Sequence, residues 1–328
     1  MRTNRVVSGM RPTGRLHIGH YHGVLENWIT IQNQYESYFF VADWHSLTTE
    51  YGDTSGIKGS AREMVLDWVA FGLDPDRCTI FEQSQVPQHA ELNLILGMIT
   101  PVAWLERNPT YKEMLDNIEQ RDLSTFGFLG YPVLMAADII LYRATRVPVG
   151  HDQLPHLEIT REIARRFNYL YNKQVFPEPE ALLTETPKLL GLDGRKMSKS
   201  YNNSIYLSET AEETAAKIKS MVTDTQRVRK SDPGDPDACL AFHLHRLYVS
   251  EEKRNEIIPA CRSAAIGCVE CKKILTEAMN ERLAPCRARR DELSRNPDFV
   301  DDILLSGSRK AAEEAVLTMA AVREALRV

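Results

Sequence analysis

The sequence of 328 residues has none of the features that mark a secreted or membrane-spanning chain. Its first stretch, MRTNRVVSGMRPTG, contains no apolar segment of signal-peptide length, and no run approaches the roughly eighteen apolar residues that a spanning helix requires. These absences predict a cytoplasmic protein with no membrane partner. In a reducing compartment, the six cysteines are expected to be free thiols or metal ligands instead of disulfides.

The sequence also lacks an excess of positive charge. Its formal net charge is −5, which gives no global basic signal for nucleic acid. One local stretch, residues 272–290, departs from this balance. Its basic residues are Lys272, Lys273, Arg282, Arg287, Arg289 and Arg290, against Glu277 and Glu281. The stretch is therefore either a solvated helix face or a surface that contacts RNA phosphates.

Strand-like and helical runs alternate through the first two thirds of the chain. RVVSGM, SYFFVADWH and RCTIFEQS are strand candidates, while HYHGVLENWITIQ and SAREMVLDWVAFGL have helical character. Parallel strands need crossover connections of this length, so the pattern predicts an α/β fold with a Rossmann-like, doubly wound parallel sheet. From about residue 205 the periodicity is helical, which predicts a sheet domain over residues 1–205 and an all-helical domain over residues 206–328.

A glycine- and proline-containing loop, SGMRPTGRLHIGHYHG, leads from the first strand candidate into a helix. Backbone N–H groups at that helix N-terminus would face outward beside Gly19 and favour anions, phosphate above all. His17 and His20 lie in this turn and can donate hydrogen bonds to phosphate oxygens. A solvated loop is the alternative interpretation.

A second loop, DGRKMSKSYNN, spans residues 193–203. Its mobile cations and hydroxyls are Lys196, Ser198, Lys199 and Ser200. Such groups suit a loop that grasps a polyphosphate during a reaction and releases it afterwards. A solvated surface loop is again the alternative, but the presence of both loops in one chain favours phosphate binding.

The two loops resemble the signatures of a known family. HIGH at 17–20 and KMSKS at 196–200 match those of class I aminoacyl-tRNA synthetases. VADWHSLT, FEQSQVPQHAEL and YPVLMAADIILYRATRVPVGHDQLPHLEITREIARRFN are similar to stretches of bacterial tryptophanyl-tRNA synthetases. The resemblance implies a homodimeric ligase that uses ATP and Mg²⁺ to form tryptophanyl-adenylate and pyrophosphate, and then charges tRNA(Trp). Residues 1–205 would form its catalytic domain and residues 206–328 its anticodon-binding domain.

The resemblance also implies which residues meet ATP. The catalytic set is His17, His20, Lys196 and Lys199. The residues expected to bind ATP are Arg11, Pro12, Thr13, Gly19, His20, Gly150, His151, Asp152, Leu189, Lys196, Met197, Ser198, Lys199 and Ser200.

Asp138 is the main candidate for recognition of the amino acid. It lies on a helical stretch, LMAADIILY, that is otherwise apolar, so its carboxylate should be paired or functional. The resemblance implies that it accepts the indole N–H of tryptophan; a helix-surface position or an internal salt bridge is the alternative. The other tryptophan-binding residues that the resemblance implies are Tyr131, Met135, Ile139, Gln153, Val147, Val149, Val7 and His45.

Three rival functions fit parts of the sequence. A tyrosyl-tRNA synthetase shares the signatures, but the strings AADIILY and VPVGHDQ argue against it. The intact signatures argue against an RNA-binding relative without catalysis. The predicted helical domain argues against a HIGH-type nucleotidylyltransferase that acts on a small cofactor precursor.

CRSAAIGCVECKK, residues 261–273, places three cysteines at i, i+7 and i+10. On one helix these would share a face, and Cys239 or Cys286 could supply a fourth thiolate. This spacing leaves zinc, an iron–sulfur cluster and buried apolar cysteines open. The residues that resemble the [4Fe–4S] ligands of a subset of the family are Cys239, Cys261, Cys268 and Cys271. The resemblance thus implies this cluster and leaves Cys78 as a buried thiol.

Overall fold

A computed structural model describes residues 4–108, 111, 124–183 and 189–328. The chain forms two compact units. The first comprises Met1–Gly14, Glu26–Thr186 and Asn296–Val328, and the second comprises Arg15–Leu25 and Pro187–Arg295.

The first unit is built on a parallel sheet of five strands in the order β3–β2–β1–β4–β5. The strands are β1 (Arg5–Met10), β2 (Glu36–Val41), β3 (Cys78–Glu82), β4 (Arg146–Val149) and β5 (Glu180–Leu183). Val7 of β1 lies beside Tyr38 of β2, and Val6 lies beside Arg146 of β4. The strand order reverses at β1, and sheets of this kind bind ligands at the carboxyl ends of the strands beside such a reversal. The predicted doubly wound sheet is confirmed.

One helix of the first unit places the candidate residues Tyr131 and Asp138. This helix, Phe126–Leu141, begins after Thr125, whose hydroxyl accepts a hydrogen bond from Phe128 N at 3.2 Å. It packs mainly against the helices Gln88–Ile99 and Leu154–Tyr171, and most of its second half is buried. The helices of the first unit are Glu26–Ile31, Asp43–Glu50, Ile57–Ala70, Gln88–Ile99, Val102–Glu106, Phe126–Leu141, Leu154–Tyr171 and Phe299–Leu326.

The last helix, Phe299–Leu326, packs on β3 of the first unit. The approach is so close at Gly307 that a Cβ atom there would lie 1.8 Å from the carbonyl oxygen of Ile80. The boundary predicted at residue 205 therefore does not coincide with the compact units. Helical periodicity shows that a face is apolar, but it does not show which partner buries that face.

The second unit is mainly helical, in agreement with the prediction for the C-terminal region. Its helices are Ile18–His20, Ala211–Ser220, Leu240–Tyr248, Glu251–Arg262 and Cys268–Leu293, with a π-helical turn at Tyr21–Leu25 and a 3₁₀ turn at Lys199–Tyr201. Antiparallel bridges join His17 to Tyr206 and Leu190 to Lys196. Among the residues that the structure describes, no helix is both long and apolar enough to cross a membrane.

Candidate active site

The HIGH turn holds its two histidines in defined tautomers. The Nδ1 atom of His17 accepts a hydrogen bond from Gly19 N at 3.1 Å, and that of His20 accepts one from His17 N at 3.2 Å. Each Nδ1 is thus an acceptor, so each neutral ring carries its proton on Nε2. Burial and then the Lys199 ammonium lower the pKa of His17 to about 4, and burial, His17 and the Lys199 ammonium lower that of His20 to about 3. The turn therefore offers two neutral N–H donors at neutral pH.

The second unit brings the HIGH and KMSKS signatures together. Ile18 N donates to Ile205 O at 3.0 Å, and Leu207 N donates to Leu16 O at 2.9 Å. These bonds tie the HIGH turn to the segment that follows KMSKS. A Cβ atom on Gly19 would lie 3.7 Å from Met197 Sδ. Sequence spacing alone could not show this contact, because about 180 residues separate the two signatures.

The other predicted ATP-binding residues lie on several loops. Leu189 is buried, and its carbonyl accepts from Met197 N at 3.0 Å, whereas Lys196 is exposed. Arg11, Pro12 and Thr13 follow β1 in the first unit, where Thr13 N donates to Arg11 O at 2.9 Å. Gly150 precedes an exposed 3₁₀ turn that contains His151, Asp152 and Gln153. The side chain of Ser200 lies outside the described part of the chain.

Asp138 is the centre of a buried hydrogen-bond network in the first unit. Only 2% of the residue is exposed. Its Oδ1 accepts from Gln83 Nε2 at 2.7 Å and lies 2.6 Å from His89 Nδ1, and its Oδ2 lies 2.8 Å from His45 Nε2. Burial by itself would raise the pKa of Asp138, but the charges and hydrogen bonds of His45 and His89 outweigh it and leave that pKa below its ordinary value. The carboxylate is therefore ionised and held in one orientation.

Two members of this network were not identified as site residues from the sequence. Gln83 directly follows β3, and His89 lies in the next helix, where its Nε2 is 2.7 Å from the hydroxyl of Tyr142. Both residues fall within the stretch FEQSQVPQHAEL. The available signal was that polar residues of this kind follow a strand at the carboxyl edge of a parallel sheet.

Tyr131 lies two turns before Asp138 on the same helix and pairs with a third residue that the sequence did not indicate. Its hydroxyl forms a short hydrogen bond with His156 Nε2. Burial lowers the pKa of His156 and raises that of Tyr131 to about 12. The imidazole is thus neutral and the phenol protonated, and the phenol oxygen has two lone pairs with which it can accept a further hydrogen bond.

Five of the residues predicted to bind tryptophan are apolar, and these five, called here the apolar wall, belong to the core of the first unit. Met135 is half-buried against this core. The members that are buried within it are Val7, Ile139, Val147 and Val149. Val7 and Val147 lie on neighbouring strands, β1 and β4.

The sequence left open whether the three cysteines of residues 261–273 lie on one helix, and the structure places them on two. One helix ends at Arg262, Ala264 adopts a left-handed φ of 60°, and a new helix begins at Cys268. Four thiols share one neighbourhood, because burial and then the charges of Cys239, Cys261 and Cys268 raise the pKa of Cys271 to about 12. No group of three His, Cys, Asp or Glu residues in the described chain is placed to hold a metal ion.

The two remaining cysteines lie apart from this group. Cys286 is fifteen residues beyond Cys271 on the same helix, about 22 Å along its axis. The charged groups that influence the pKa of its thiol are Arg289 and Arg282 instead of cysteines. Cys78 is buried in β3, with Sγ 3.2 Å from Asp74 O, as expected for a buried thiol.

Three features define a class I nucleotide-dependent synthetase. They are a doubly wound sheet, a histidine turn after its first strand and a lysine loop packed on that turn. The family model of class I tRNA synthetases for tryptophan and tyrosine matches residues 1–284, and the chain belongs to this family. It is 52% identical to the tryptophan–tRNA ligase of Thermotoga maritima, with 98% of each chain covered. It is 44% identical to that of Aquifex aeolicus, with 98% of this chain and 99% of the relative covered.

Solved structures agree with this membership. A tryptophanyl-tRNA synthetase from Campylobacter jejuni, in complex with ADP and tryptophan, matches with a TM-score of 0.89 and 32% identity, over 99% of this chain and all of that one. A tyrosyl-tRNA synthetase from Archaeoglobus fulgidus matches with a TM-score of 0.66 and 21% identity, over 88% of this chain and 90% of that one. At that identity the second match shows the fold alone.

Proposed function

We infer that the chain is a tryptophan–tRNA ligase. The observation that carries this inference is the packing of HIGH on KMSKS within one compact unit of a member of this family. In the proposed reaction the tryptophan carboxylate attacks the α-phosphorus of ATP, and pyrophosphate leaves with Mg²⁺. The adenylate then transfers tryptophan to the 3′-terminal ribose of tRNA(Trp). Positioning and charge stabilisation supply most of the catalysis in such a reaction.

The phosphates are proposed to meet the HIGH turn and the KMSKS loop. His17 and His20 would donate through Nε2 as neutral groups, because the pKa of each imidazole lies far below neutral pH. The positive charge would then come from Lys196 and Lys199. Preorganised donors of this kind stabilise the charge that develops on the transferred phosphate.

The indole N–H of tryptophan is proposed to bind Asp138. A carboxylate offers about four acceptor positions, and three of those on Asp138 are used by Gln83, His89 and His45. One position on Oδ2 therefore stays available within the described structure. Tyr131 and Gln153 are proposed to hold the ammonium group, and the apolar wall to pack against the ring. A phenol could also donate to Asp138, so the network alone does not exclude tyrosine.

Pyrophosphate exchange into ATP, measured with each amino acid in turn, tests the proposed activity. Exchange should require both tryptophan and Mg²⁺, because the adenylate forms only when the matching side chain places its carboxylate beside the α-phosphorus. Tyrosine is the matched control because it shares the fold and the possible bond to Asp138. Equal exchange with tyrosine would contradict the proposed specificity.

We propose that Cys239, Cys261, Cys268 and Cys271 bind a [4Fe–4S] cluster, which would fix the helical region for the anticodon. What supports this is the clustering of four thiols in the second unit. In such a cluster each thiolate binds a different iron, so the four sulfurs surround it without meeting at one point. Zinc, or no metal, is the alternative.

Protein purified without oxygen should be brown and contain about four irons per chain. Cys268→Ser should abolish the colour and the iron, since the cluster would lose one of its four ligands, while tryptophan activation continues. Cys286→Ser is the matched control and should keep both colour and iron. Colourless wild-type protein with one zinc per chain, or with no metal, would refute the cluster.

The basic stretch from residue 272 to residue 290 is proposed to contact tRNA through only some of its residues. Arg287 donates to Leu207 O, Asn280 Oδ1 and Thr214 Oγ1, and Lys272 donates to two backbone carbonyls. These two side chains stabilise the second unit and are poor candidates for phosphate contacts. Lys273 and Arg289 are exposed.

Arg289→Glu should weaken tRNA binding and reduce the slope of log affinity against log salt by about 1, as expected for one lost phosphate contact. Tryptophan activation should not change. Arg77→Glu, which alters an exposed arginine of the first unit outside residues 206–328, is the control. Filter binding at several salt concentrations measures the slope, and equal slopes in both variants would show that tRNA binds elsewhere.

The proposal includes a homodimer that acts in the cytoplasm. Several large apolar side chains of the first unit are exposed and could be buried by a second copy. They are Leu94, Met98, Val102 and Phe126. The division of labour is proposed as adenylation by residues 1–205 and anticodon recognition by residues 206–328.

A further inference from the structure

Asn203, at the end of the KMSKS loop, is almost completely buried and uses its whole amide within that loop. Only 2% of the residue is exposed. Its Nδ2 donates to Asp193 Oδ1 at 2.7 Å and to Lys196 O at 3.2 Å, while its Oδ1 accepts from Ser198 N at 2.8 Å. One side chain thus connects the start, the middle and the end of the loop.

The backbone leaves space for the Asn203 amide only because residue 191 is glycine. A Cβ atom on Gly191 would lie 2.3 Å from the Asn203 amide, so any larger residue at 191 would displace that side chain. Leu192 N donates to Asn203 O at 2.9 Å, and Gly191 N donates to Arg195 O at 2.7 Å. Both ends of the loop are therefore fixed against each other by backbone bonds, with the amide between them.

The charge of Asp193 completes this arrangement. The hydrogen bond from Asn203 and the ion pair with Arg195 hold the pKa of Asp193 at about 2, although the carboxylate lies on the surface. An ionised Asp193 is a strong acceptor for Nδ2. The guanidinium of Arg195 in turn lies 4.1 Å from the ring centroid of Tyr201, on the far side of the loop.

The bonds of Asn203 reach the backbone beside both catalytic lysines. They hold the carbonyl of Lys196 and the N–H of Ser198, the residue before Lys199. Met197, between them, is buried with 5% exposure. The side chains of Lys196 and Lys199 therefore extend from a backbone segment that Asn203 holds by hydrogen bonds. Without this amide the loop would still contain both lysines, but their backbone would no longer be held in one conformation.

We propose that Asn203 is the positioning residue of the KMSKS loop and sets the direction from which Lys196 and Lys199 reach the phosphates. The proposal rests on the proposed function. Because charge on the phosphates changes during the reaction, misplaced ammonium groups should slow the chemical step. Tryptophan binding should not change, since Asp138 and its partners lie in the other compact unit.

Two single variants and a swap test this role. Asn203→Ala should lower kcat for pyrophosphate exchange about 10- to 100-fold with the tryptophan Kd unchanged. Asn203→Asp should lower it at least as much, because two carboxylates would face each other and Lys196 O would lose its donor. In the double variant Asp193→Asn/Asn203→Asp, the side chain at 193 would donate to the carboxylate at 203, so this hydrogen bond re-forms with donor and acceptor exchanged. The carboxylate at 203 would also still accept from Ser198 N. This double variant should regain several-fold in kcat over Asn203→Asp.

Asn255→Ala, in the exposed part of a helix of the second unit, is the matched control and should behave as wild type. Hydrogen exchange of the peptide that contains Ser198 provides a second measurement and should be faster in Asn203→Ala. A wild-type kcat in Asn203→Ala, or no recovery in the double variant, would overturn the proposal. Failure of the proposed function is distinguishable, because the unaltered protein would then show no tryptophan-dependent exchange.

Discussion

Lys199→Ala is expected to slow tryptophan-dependent pyrophosphate exchange by about 100- to 1,000-fold, the usual cost of removing a transition-state donor. The loss should be large because His17 and His20 are neutral, with pKa values of about 4 and about 3, and cannot replace the positive charge. Tryptophan binding should stay nearly constant. Comparison of kcat with the tryptophan Kd, measured by fluorescence titration, separates the two effects.

Lys219→Ala is the control for this variant, because it removes an exposed lysine from the same compact unit. It should exchange like the wild type. If Lys199→Ala also kept the wild-type rate, Lys199 would have no part in stabilising the leaving pyrophosphate.

Asp138→Ala is expected to weaken tryptophan binding by about 1.5 to 3 kcal/mol, the range for a hydrogen bond to a charged group. It should also lower the free energy of unfolding, since His45, His89 and Gln83 would lose their common acceptor inside the protein. Isothermal titration measures the first effect and thermal denaturation the second.

A tryptophan analogue methylated on the indole nitrogen gives the sharper test of this contact. It should bind the native protein more weakly than tryptophan does, because it has no N–H to donate. On Asp138→Ala the two ligands should bind almost equally. An unchanged difference between the ligands on the native protein and the variant would show that Asp138 does not accept the indole N–H.

The sequence was most informative where local pattern and local structure coincide. Runs rich in Val, Phe and Tyr predicted β1, β2 and β3, because side chains that alternate or are wholly apolar fit a buried parallel strand. The signatures at 17–20 and 196–200 also fall on the turn and the loop that were expected for them. Asp138 could be singled out because a charge in an apolar helix is costly unless it is paired.

The sequence was least informative about side chains that act through a distant partner. Gln83 and His89 reach Asp138 from 55 and 49 residues away, and His156 reaches Tyr131 from 25 residues away. Composition and spacing do not show which residues form such pairs, although the position of Gln83 directly after β3 was a signal for a polar residue at the carboxyl edge of the sheet. The sequence also could not show whether the cysteine stretch lies on one helix, and in the structure a left-handed residue at Ala264 separates two.

The sequence by itself determined the doubly wound sheet, the two phosphate-binding signatures and the family, because periodicity and short motifs are local properties of the chain. Only the tertiary structure decided that the last helix belongs with the sheet, that Arg287 and Lys272 are tied to the backbone, and that Asn203 holds the KMSKS loop. The physical reason is that burial and hydrogen bonding depend on which surfaces meet when the chain folds. A side chain's donors and acceptors are known from its identity, but its partners are set by contacts between residues far apart in sequence.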